Sequence, residues 1–517
     1  HGSTPELYER WLRRTVARTL EEFDGDERLV FINAWNEWGE GCYLEPDARF
    51  GRAYLEATRR VLYAPEAALR EQDRRERAQG DGVPDLFARW LDSRDQEGAR
   101  ARMAASAGGA SQNSLHVLVI GEHGSVEQTT RRSLQTAAGL PLPGVTISTI
   151  PAGADLAHRV NALISELPHV WWTLVPAGCQ FLAAGMEVAL QVFAGQPDLW
   201  AAYGDEVVRA ADGTLRPVFR PDFNLDLLVS HPGAMARHWW FHREAILSIG
   251  GFPAEDGSAF EFGALLRFAE TGEFSRLRHI PEPMLVGPAV VTAGPDAQAA
   301  LSAHLSRRGY AQAQVAAGAY NTLRIHYGHG QAPLVSIIIP TRDQLPLLQR
   351  CVETLVDKTA YRHFELLIVD NDSRTQEARD WLEGLESLGS DQVRVLRYPH
   401  AFNYSAMNNL AAGHARGEYL LLLNNDTAVL QEEWLDEMLN HALRPEVGVV
   451  GAKLLYPDGS VQHAGVILGL NGPADHPYNG EALTAPGHMH RLQVDQGLSA
   501  VTGACLMIRK SLYEAVG

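Results

Sequence analysis

Hydrophobic residues recur along the chain in two kinds of segment, short unbroken runs and longer amphipathic stretches. Apolar runs of about four to eight residues are typical of buried β-strands, whereas amphipathic stretches predict helices. In the second half of the chain the two kinds alternate regularly, which predicts an α/β fold around a mostly parallel sheet. The predicted strands of this half are 335–340, 364–370, 393–399, 419–425 and 447–454.

A similar alternation occupies residues 115–295. Its strand candidates are 115–121, 145–151, 170–175 and 200–203. Residues 161–176 and 409–424 share one order of helix, polar break and hydrophobic strand, and they align without gaps at a constant offset of 248 residues. Residues 242–250 also match 509–517. We therefore predict an internal duplication, with a first module at 115–295 and a second module at 333–517.

The first 114 residues differ from both modules. Residues 1–63 predict a strand at 29–34 between two helices, which cannot bury a core alone, so we expect the tail of a larger α/β domain. Residues 64–114 contain a charge run and an Ala/Gly/Ser-rich stretch, and are predicted to be a linker with some helix. Residues 296–332 are predicted to be a helical connector.

Composition narrows the class of protein. The 517 residues are 45% hydrophobic and 21% charged, which indicates several globular domains. A net charge of −18 argues against a nucleic-acid partner. No apolar run approaches the roughly 18 residues that span a bilayer. No signal peptide is visible, and because His1 is no natural start we expect a preceding segment. Four scattered cysteines without a C-x-x-C favour a reducing compartment over a disulfide framework.

Polar residues follow three predicted strands of the second module, at 341–343, 370–372 and 424–426. Ligands in open α/β sheets bind beyond the carboxyl ends of the strands, so these groups are expected to meet in one crevice. A carboxylate with amide neighbours, as at Asp426, suits Mg²⁺ or Mn²⁺ bound by few protein ligands and by diphosphate oxygens. Asp370 and Asp372 could accept hydrogen bonds from a base or a ribose, or could be turn residues.

Six segments of the second module carry a family resemblance. They are VSIIIPTRD (335–343), FELLIVDNDS (364–373), FNYSAMNN (402–409), GEYLLLLNNDT (417–427), GAKLLYPDGSVQHAGV (451–466) and TGACLMIRKSLYEAVG (502–517). Together they resemble a family 2 glycosyltransferase of the GT-A fold. The resemblance implies transfer, with inversion, from a nucleotide diphosphate sugar to a hydroxyl of a surface polysaccharide, with a glycan or lipid-linked glycan as the acceptor. It implies the donor-binding residues Thr341, Asp343, Asp370, Asp372, Asn408, Asn424, Asn425 and Asp426, with Asp426 also as the ligand of Mg²⁺ or Mn²⁺.

Three features of the second module stay open or depart from the family pattern. Asn424 replaces the first acid of the family's D-x-D motif. The resemblance places the catalytic base roughly a dozen residues beyond a Gly-Gly-Phe element that begins at Gly517, so we expect the base to lie outside this chain. His463 and Lys453 are either diphosphate contacts or structural residues.

The first module resembles the same family in YGDE (203–206), FRPDFNLDLL (219–228) and 239–267. Pro176-Ala177-Gly178 stands in place of the metal motif, and Ile150-Pro151 in place of the nucleoside-contacting acid. Glu261 lies where the family's base would lie. We expect a degenerate, catalytically silent module that binds acceptor glycan or supports its neighbour.

The N-terminal segment NAWNEWGEGCYLEPD (33–47) places acids beside tryptophans. Such pairs suit sugar hydrolysis. The segment resembles the last strand and loop of WbsX-like, or glycoside hydrolase family 99-like, (β/α)₈ barrels, and Glu37 and Glu40 match the catalytic glutamates of that family. Two alternatives to a transferase therefore remain, a glycan-processing hydrolase and a non-catalytic glycan-binding scaffold. We expect a cytoplasmic protein, at most peripheral at the inner membrane.

Overall fold

The chain forms two compact units, His1–Arg94 and Asp95–Gly517. The computed structural model describes residues 4–25, 28–30, 36–37, 42–43, 46, 50–78, 86–94, 96–105, 114–135, 142, 144–210, 213–288, 294–470 and 473–516. Within these ranges, no helix is long and apolar enough to cross a membrane.

The first unit is mainly helical in its described part. Its elements are α1 (Pro5–Glu22), β1 (Asn36–Glu37), β2 (Cys42–Tyr43), α2 (Ala53–Leu62), α3 (Glu66–Ala78) and α4 (Leu86–Asp92). Leu12, Val61 and Leu69 form a small buried cluster that packs α1 against α2 and α3. Most of the strand predicted at 29–34 lies outside the described residues, and its first two residues are not in a strand.

The second unit opens with α5 (Gln96–Ala105), followed by the first module. The strands of this module are β3 (Leu115–Ile120), β4 (Val145–Ile150), β5 (Trp171–Pro176), β6 (Gln180–Phe181), β7 (Ala201–Arg209), β8 (Leu215–Val218), β9 (Trp240–His242) and β10 (Leu277–Gly287). Its helices are α6 (Ser125–Ser133), α7 (Leu156–Glu166), α8 (Ala183–Gly195), α9 (Leu225–Ser230), α10 (Pro232–Met235), α11 (Arg243–Ser248) and α12 (Phe260–Glu270). Helix α5, in the predicted linker, packs on this module, where Arg102 pairs with Glu187 at 2.7 Å.

The first module is built on an eight-stranded sheet of order β4-β3-β5-β9-β7-β10-β6, with β8 paired to β7. Its central strands are hydrophobic on both faces, as expected for a sheet covered by helices on two sides. Trp172 and Phe241 belong to the core on one face, and Trp171 and Trp240 to the core on the other.

The connector contains more structure than predicted. Helix α13 (Pro295–Arg307) is followed by a hairpin of β11 (Gln314–Ala317) and β12 (Leu323–His326). Leu323 and Ile325 of β12 are buried in the core of the first module.

The second module has a six-stranded sheet of order β15-β14-β13-β16-β22-β17. Its strands are β13 (Val335–Thr341), β14 (Phe364–Asp370), β15 (Val393–Arg397), β16 (Tyr419–Leu423), β17 (Val449–Gly451), β18 (Leu454–Leu455), β19 (Val461–His463), β20 (Ile467–Leu468), β21 (Ala474–Asp475) and β22 (Cys505–Arg509). Its helices are α14 (Leu345–Lys358), α15 (Gln376–Ser387), α16 (Tyr404–His414), α17 (Trp434–Ala442) and α18 (Lys510–Val516).

Both sheets are mostly parallel, as predicted, but each also contains antiparallel strands. Strands β15, β14, β13 and β16 are parallel, but β22 runs antiparallel to β16 and β17. In the first module β9 likewise runs antiparallel to β5 and β7. An apolar run shows that a strand is buried but not in which direction it runs, so the sequence pattern could not reveal these insertions.

The two sheets share strand order, direction and register over five strands. The order β4-β3-β5-β9-β7 of the first corresponds to β14-β13-β16-β22-β17 of the second. The residue pairs across the strands correspond as well. The pair Trp171–His242 of the first sheet is equivalent to Tyr419–Arg509 of the second, and Ala201–Phe241 is equivalent to Val449–Ile508. These pairs agree with the gap-free alignment of 161–176 with 409–424. Among the described residues, the first module has no strand in the position of β15.

Candidate active site

A cavity of about 560 Å³ lies at the carboxyl ends of β13 and β16. Four predicted donor-site residues, Thr341, Asn424, Asn425 and Asp426, line this cavity together. The remaining lining residues are Pro340, Arg342, Gln344, Phe402, Tyr404, Met407, Gly503 and Ala504.

Hydrogen bonds tie the strand ends around the cavity. Asn425 Nδ2 donates to Oγ1 of buried Thr341 at 2.9 Å, which joins the end of β16 to the end of β13. The backbone N–H of Asn424 donates to the carbonyl of Ala504 at 3.0 Å, which adds the residue before β22. The cavity floor is therefore built by three adjacent strands of one sheet.

Asp426 differs from its neighbours because its side chain is exposed and makes no hydrogen bond or ion pair with the described residues. The turn that carries it is closed by Thr427 Oγ1, which donates to the Asn424 carbonyl at 2.8 Å. Over the described part of the chain, no group of three or more histidines, cysteines or acids could hold a metal ion. One free carboxylate beside amide oxygens fits a hard cation that takes most of its ligands from a bound diphosphate and water.

Asp370 does not line the cavity, and the protein itself engages both of its oxygens. Oδ1 accepts from the backbone N–H and the hydroxyl of Ser373 at 3.1 and 2.5 Å. Oδ2 accepts from Arg397 Nη1 at 2.9 Å. This buried carboxylate fixes the turn after β14 and anchors β15.

Asp343 also organises this turn. Its Oδ1 accepts the backbone N–H groups of Thr375 and Arg374 at 2.9 and 2.6 Å, and these bonds hold the pKa of Asp343 below its ordinary value. Asp343 and Gln344 adopt left-handed φ angles of 53° and 50°, and Asp372 one of 57°. Asp372 is exposed, and no described residue bonds to its carboxylate. Of these acids of the β13 and β14 turns, Asp372 is the one left free for a ligand within the described residues.

Asn408 lies behind the cavity rather than on its surface. Its Nδ2 donates to the carbonyl of Tyr404 at 2.9 Å, while its buried Oδ1 has no partner among the described residues. Tyr404 and Met407 of the same helix line the cavity, so Asn408 supports the cavity wall indirectly, through helix α16.

Sequence reasoning missed several lining residues. Arg342 places a guanidinium at the cavity, Phe402 is 68% exposed at its edge, and the Tyr404 hydroxyl donates to the Gly503 carbonyl at 3.1 Å. All four residues stand inside segments already quoted for the family resemblance. That proximity was the available signal, but it could not show which side chains reach the cavity.

His463 and Lys453 are both structural and do not line the cavity. His463 Nε2 accepts the backbone N–H groups of Gly465 and Thr502 at 3.2 and 3.3 Å, so its Nδ1 carries the proton and donates to His476 at 2.7 Å. Burial lowers the pKa of His463 to about 4. Lys453 Nζ donates to the carbonyls of Leu483 and Leu492 at 3.2 and 3.0 Å.

In the first module, the places of Thr341, Asn425 and Asp426 are taken by Gly121, Ala177 and Gly178, which carry no polar side chains. A methyl group placed on Gly121, which follows β3 as Thr341 completes β13, would lie 2.8 Å from the Cβ of Ala177. Glu261 lies in the first turn of helix α12, its Oε2 has no partner among the described residues, and burial raises its pKa to about 8. The N-terminal candidates cannot be assessed in the same way: Glu37 lies in β1 without a described side chain, and Glu40 lies outside the described residues.

Comparisons with known proteins match two parts of the chain. The family described as Glycosyl transferase family 2 matches residues 336–517, and the family described as Glycosyltransferase WbsX matches residues 1–58. The chain is 39% identical over 400 residues to the uncharacterized protein y4gI of Sinorhizobium fredii, covering 72% of this chain and 42% of that protein. It is 38% identical over 348 residues to the O-antigen biosynthesis protein RfbC of Myxococcus xanthus, covering 64% of this chain and 26% of that protein.

The chain thus spans less than half the length of these curated relatives. Among solved structures, a mannosyltransferase of Pyrobaculum calidifontis in complex with GDP-Man and Mn²⁺ is 16% identical, covers 43% of this chain and 56% of its own, and has a TM-score of 0.26. A likeness this limited carries no functional conclusion. The family matches assign residues 336–517 to glycosyl transferase family 2 and residues 1–58 to the WbsX family.

Proposed function

We propose that residues 333–517 are the catalytic module of an inverting, metal-dependent glycosyltransferase. The donor is a nucleotide diphosphate sugar, and the acceptor is a hydroxyl of a glycan or lipid-linked glycan. The name of the Myxococcus relative supports surface-polysaccharide assembly, specifically O-antigen, as the setting. We place the reaction in the cytoplasm, consistent with free, buried thiols at Cys179, Cys351 and Cys505.

The observation that carries this proposal is the cavity that Thr341, Asn424, Asn425 and Asp426 line together. Its polar groups come from adjacent strand ends, and the Thr341–Asn425 hydrogen bond holds them in place before any ligand arrives. A prearranged site of this kind loses little conformational entropy on binding.

Each group of the cavity has a task in this proposal. Arg342 offers a positive charge to the diphosphate, and Phe402 and Tyr404 offer aromatic faces to the base or the sugar. Asp372, the free acid at the neighbouring turn, accepts hydrogen bonds from the nucleoside. Asp426, with Asn424 beside it, would hold Mg²⁺ or Mn²⁺, which when bound neutralises charge on the departing diphosphate.

We propose that the first module is a degenerate copy of the second that does not bind donor. The shared strand registers support common descent. Gly121 and Ala177 stand at the positions of Thr341 and Asn425 and carry no polar side chain, and Gly178 offers no carboxylate at the position of Asp426.

Isothermal titration with UDP, GDP, CDP and dTDP, each with and without MnCl₂, tests the proposal. We expect one of these diphosphates to bind in the presence of Mn²⁺, and Asp426→Asn to weaken that binding at least tenfold. Asp357→Asn, which changes an exposed acid on α14, is the matched control and should bind as the wild type does.

Two results would count against the proposal. If no diphosphate binds with Mn²⁺, the glycan-binding scaffold becomes the better interpretation. If a diphosphate binds equally well to Asp426→Asn, a metal-binding role for Asp426 is wrong.

A further inference from the structure

Residues 476–504, here called the crossing segment, link β21 to β22 and end at the cavity. Their last residues, Gly503 and Ala504, line the cavity wall. Apart from one short 3₁₀ turn at His488–His490, the crossing segment has no regular helix or strand. Its position is therefore set by side-chain contacts and by isolated backbone hydrogen bonds rather than by a continuous backbone ladder.

One set of contacts comes from the second module itself. Lys453 Nζ donates to two carbonyls of the crossing segment, as described above. Gln493 Nε2 closes the same loop on the carbonyls of Leu483 and Ala485, at 2.8 and 2.7 Å.

A second set comes from the first module. Asn224 Nδ2 donates to the Gly497 carbonyl at 2.7 Å, and the Gly497 N–H donates back to Asn224 Oδ1 at 3.1 Å. His488 Nε2 donates to the Phe219 carbonyl at 2.8 Å. Met489 and Val494 pack against the hydrophobic core that includes the first module's helices.

The first-module partners fall in the segment FRPDFNLDLL (219–228), which the proposed catalytic chemistry does not use. Asn224 also caps helix α9, because its Oδ1 accepts the N–H of Leu227 at 3.0 Å. A serine could make that cap equally well, but it is too short to reach both groups of Gly497. The amide is therefore needed for the crossing segment and not for its own helix.

The residues between Gly497 and the cavity wall are tightly packed. A methyl group on Gly465 would lie 2.0 Å from Leu498 Cδ1, and one on Gly451 would lie 2.5 Å from Val501 Cβ. Between them, Val466 and Ala500 form a β-bridge. Because residues 498–501 have little room to adjust, a displacement of Gly497 should also displace Gly503.

We propose that residues 219–226 of the first module are a positioning element for the active site of the second. Asn224 and Phe219 hold the crossing segment so that Gly503 and Ala504 form the cavity wall. The effect on donor binding rests on the proposed function, whereas the positioning itself does not. The first module thereby acts on its neighbour without binding a donor.

Hydrogen–deuterium exchange of the full chain, read on peptides covering 497–504, tests the positioning. Asn224→Ser should speed exchange of this stretch at least threefold, since an exposed hydrogen-bond pair is worth a factor of that order. Met489→Ala removes the apolar part of the same contact and should act in the same direction. The matched control is Arg308→Met, which alters the ion pair with Glu446 between connector and second module and should leave 497–504 unchanged.

Titration of each variant with the Mn²⁺–nucleoside diphosphate that binds the wild type tests the consequence. We expect a three- to tenfold weaker affinity for Asn224→Ser, with a thermal midpoint within a few degrees of the wild type. Unchanged exchange at 497–504 in both Asn224→Ser and Met489→Ala would overturn the positioning. Faster exchange with unchanged affinity would overturn the link to the site. If no diphosphate binds the wild type, the proposed function fails while the exchange result still decides the positioning.

Discussion

Replacing Arg444 with methionine should weaken the association between the two modules by about 3 kcal/mol. The Arg444 side chain, two residues beyond the end of α17, is 3% exposed, and its Nη1 donates to Asp226 Oδ1 at 2.6 Å. Its guanidinium also lies 4.8 Å from the ring centroid of Tyr327 and 3.2 Å from Glu446. Asp226 belongs to the first module, so this buried cation joins the two modules directly.

The magnitude follows from burial. Removing one partner of a buried ion pair costs about 3–5 kcal/mol, because the other charge stays desolvated. The Asp226 side chain is 25% exposed and recovers part of its hydration, which places the loss near the lower end of that range. Methionine keeps the apolar stem of arginine, so little of the loss comes from packing.

Urea unfolding, followed by tryptophan fluorescence and far-ultraviolet circular dichroism, measures the loss of stability. A free energy of unfolding is taken only if the two signals give the same transition, as two-state unfolding requires. A double-mutant cycle with Asp226→Asn isolates the pair, and we expect a coupling energy of about 1.5–2 kcal/mol. Arg324→Met is the matched control. Arg324 of β12 pairs with Glu437 of α17 at 2.8 Å, but these side chains are 65% and 47% exposed, so the loss should stay below about 1 kcal/mol.

Equal losses for Arg444→Met and Arg324→Met would refute the reasoning, because burial would then make no difference. A coupling energy below about 0.5 kcal/mol would likewise show that Arg444 and Asp226 act independently.

Two further predictions concern the acid of β14 and the buried histidines. Asp370→Asn should lower the stability of the second module by about 1–3 kcal/mol, because Arg397 loses a charge-assisted hydrogen bond. Asp372→Asn is the control and should change the stability by less than about 0.5 kcal/mol. Thermal unfolding of both variants measures the difference. Burial lowers the pKa of His116, His231 and His463 from 6.5 to about 4, so their neutral forms are favoured in the folded chain. Stability from this source is complete above pH 6.5 and is lost as the pH falls toward 4, by up to about 1.4 kcal/mol per pH unit for each histidine. Urea midpoints between pH 7.5 and 5 should show this decline, with a shallower slope for His231→Gln; a slope identical to the wild type's would contradict the assignment.

The strand pattern predicted the centre of the second module because β13, β14 and β16 are buried on both faces. Strand β14 occupies the predicted residues 364–370, and the polar ends of β13 and β16 meet in one cavity. The hairpin of β11 and β12 was missed because each strand has only four residues: β11 is largely exposed, and β12 buries only Leu323 and Ile325, which is too short a pattern to identify a strand.

The residues whose roles the sequence did not predict have partners that are distant in the sequence. Asp370 has the appearance of a ligand-binding acid until Arg397, on the next strand, is seen to neutralise it. Lys453 has the appearance of a surface or phosphate-binding residue until the returning chain supplies its two carbonyls. No local pattern of residue types carries such pairings, because they depend on how the loops return.

The common register of the two sheets creates a hazard during folding, since a strand released from one sheet finds a matching place in the other. Tandem copies of one architecture are prone to such exchange. Side-chain volume opposes it here. The buried indole of Trp172 occupies on β5 the place that Leu420 occupies on β16, and an indole forced into a leucine-sized space would overpack the recipient core. The difference in core side-chain volume thus makes each of these two strands fit its own sheet better than the other sheet.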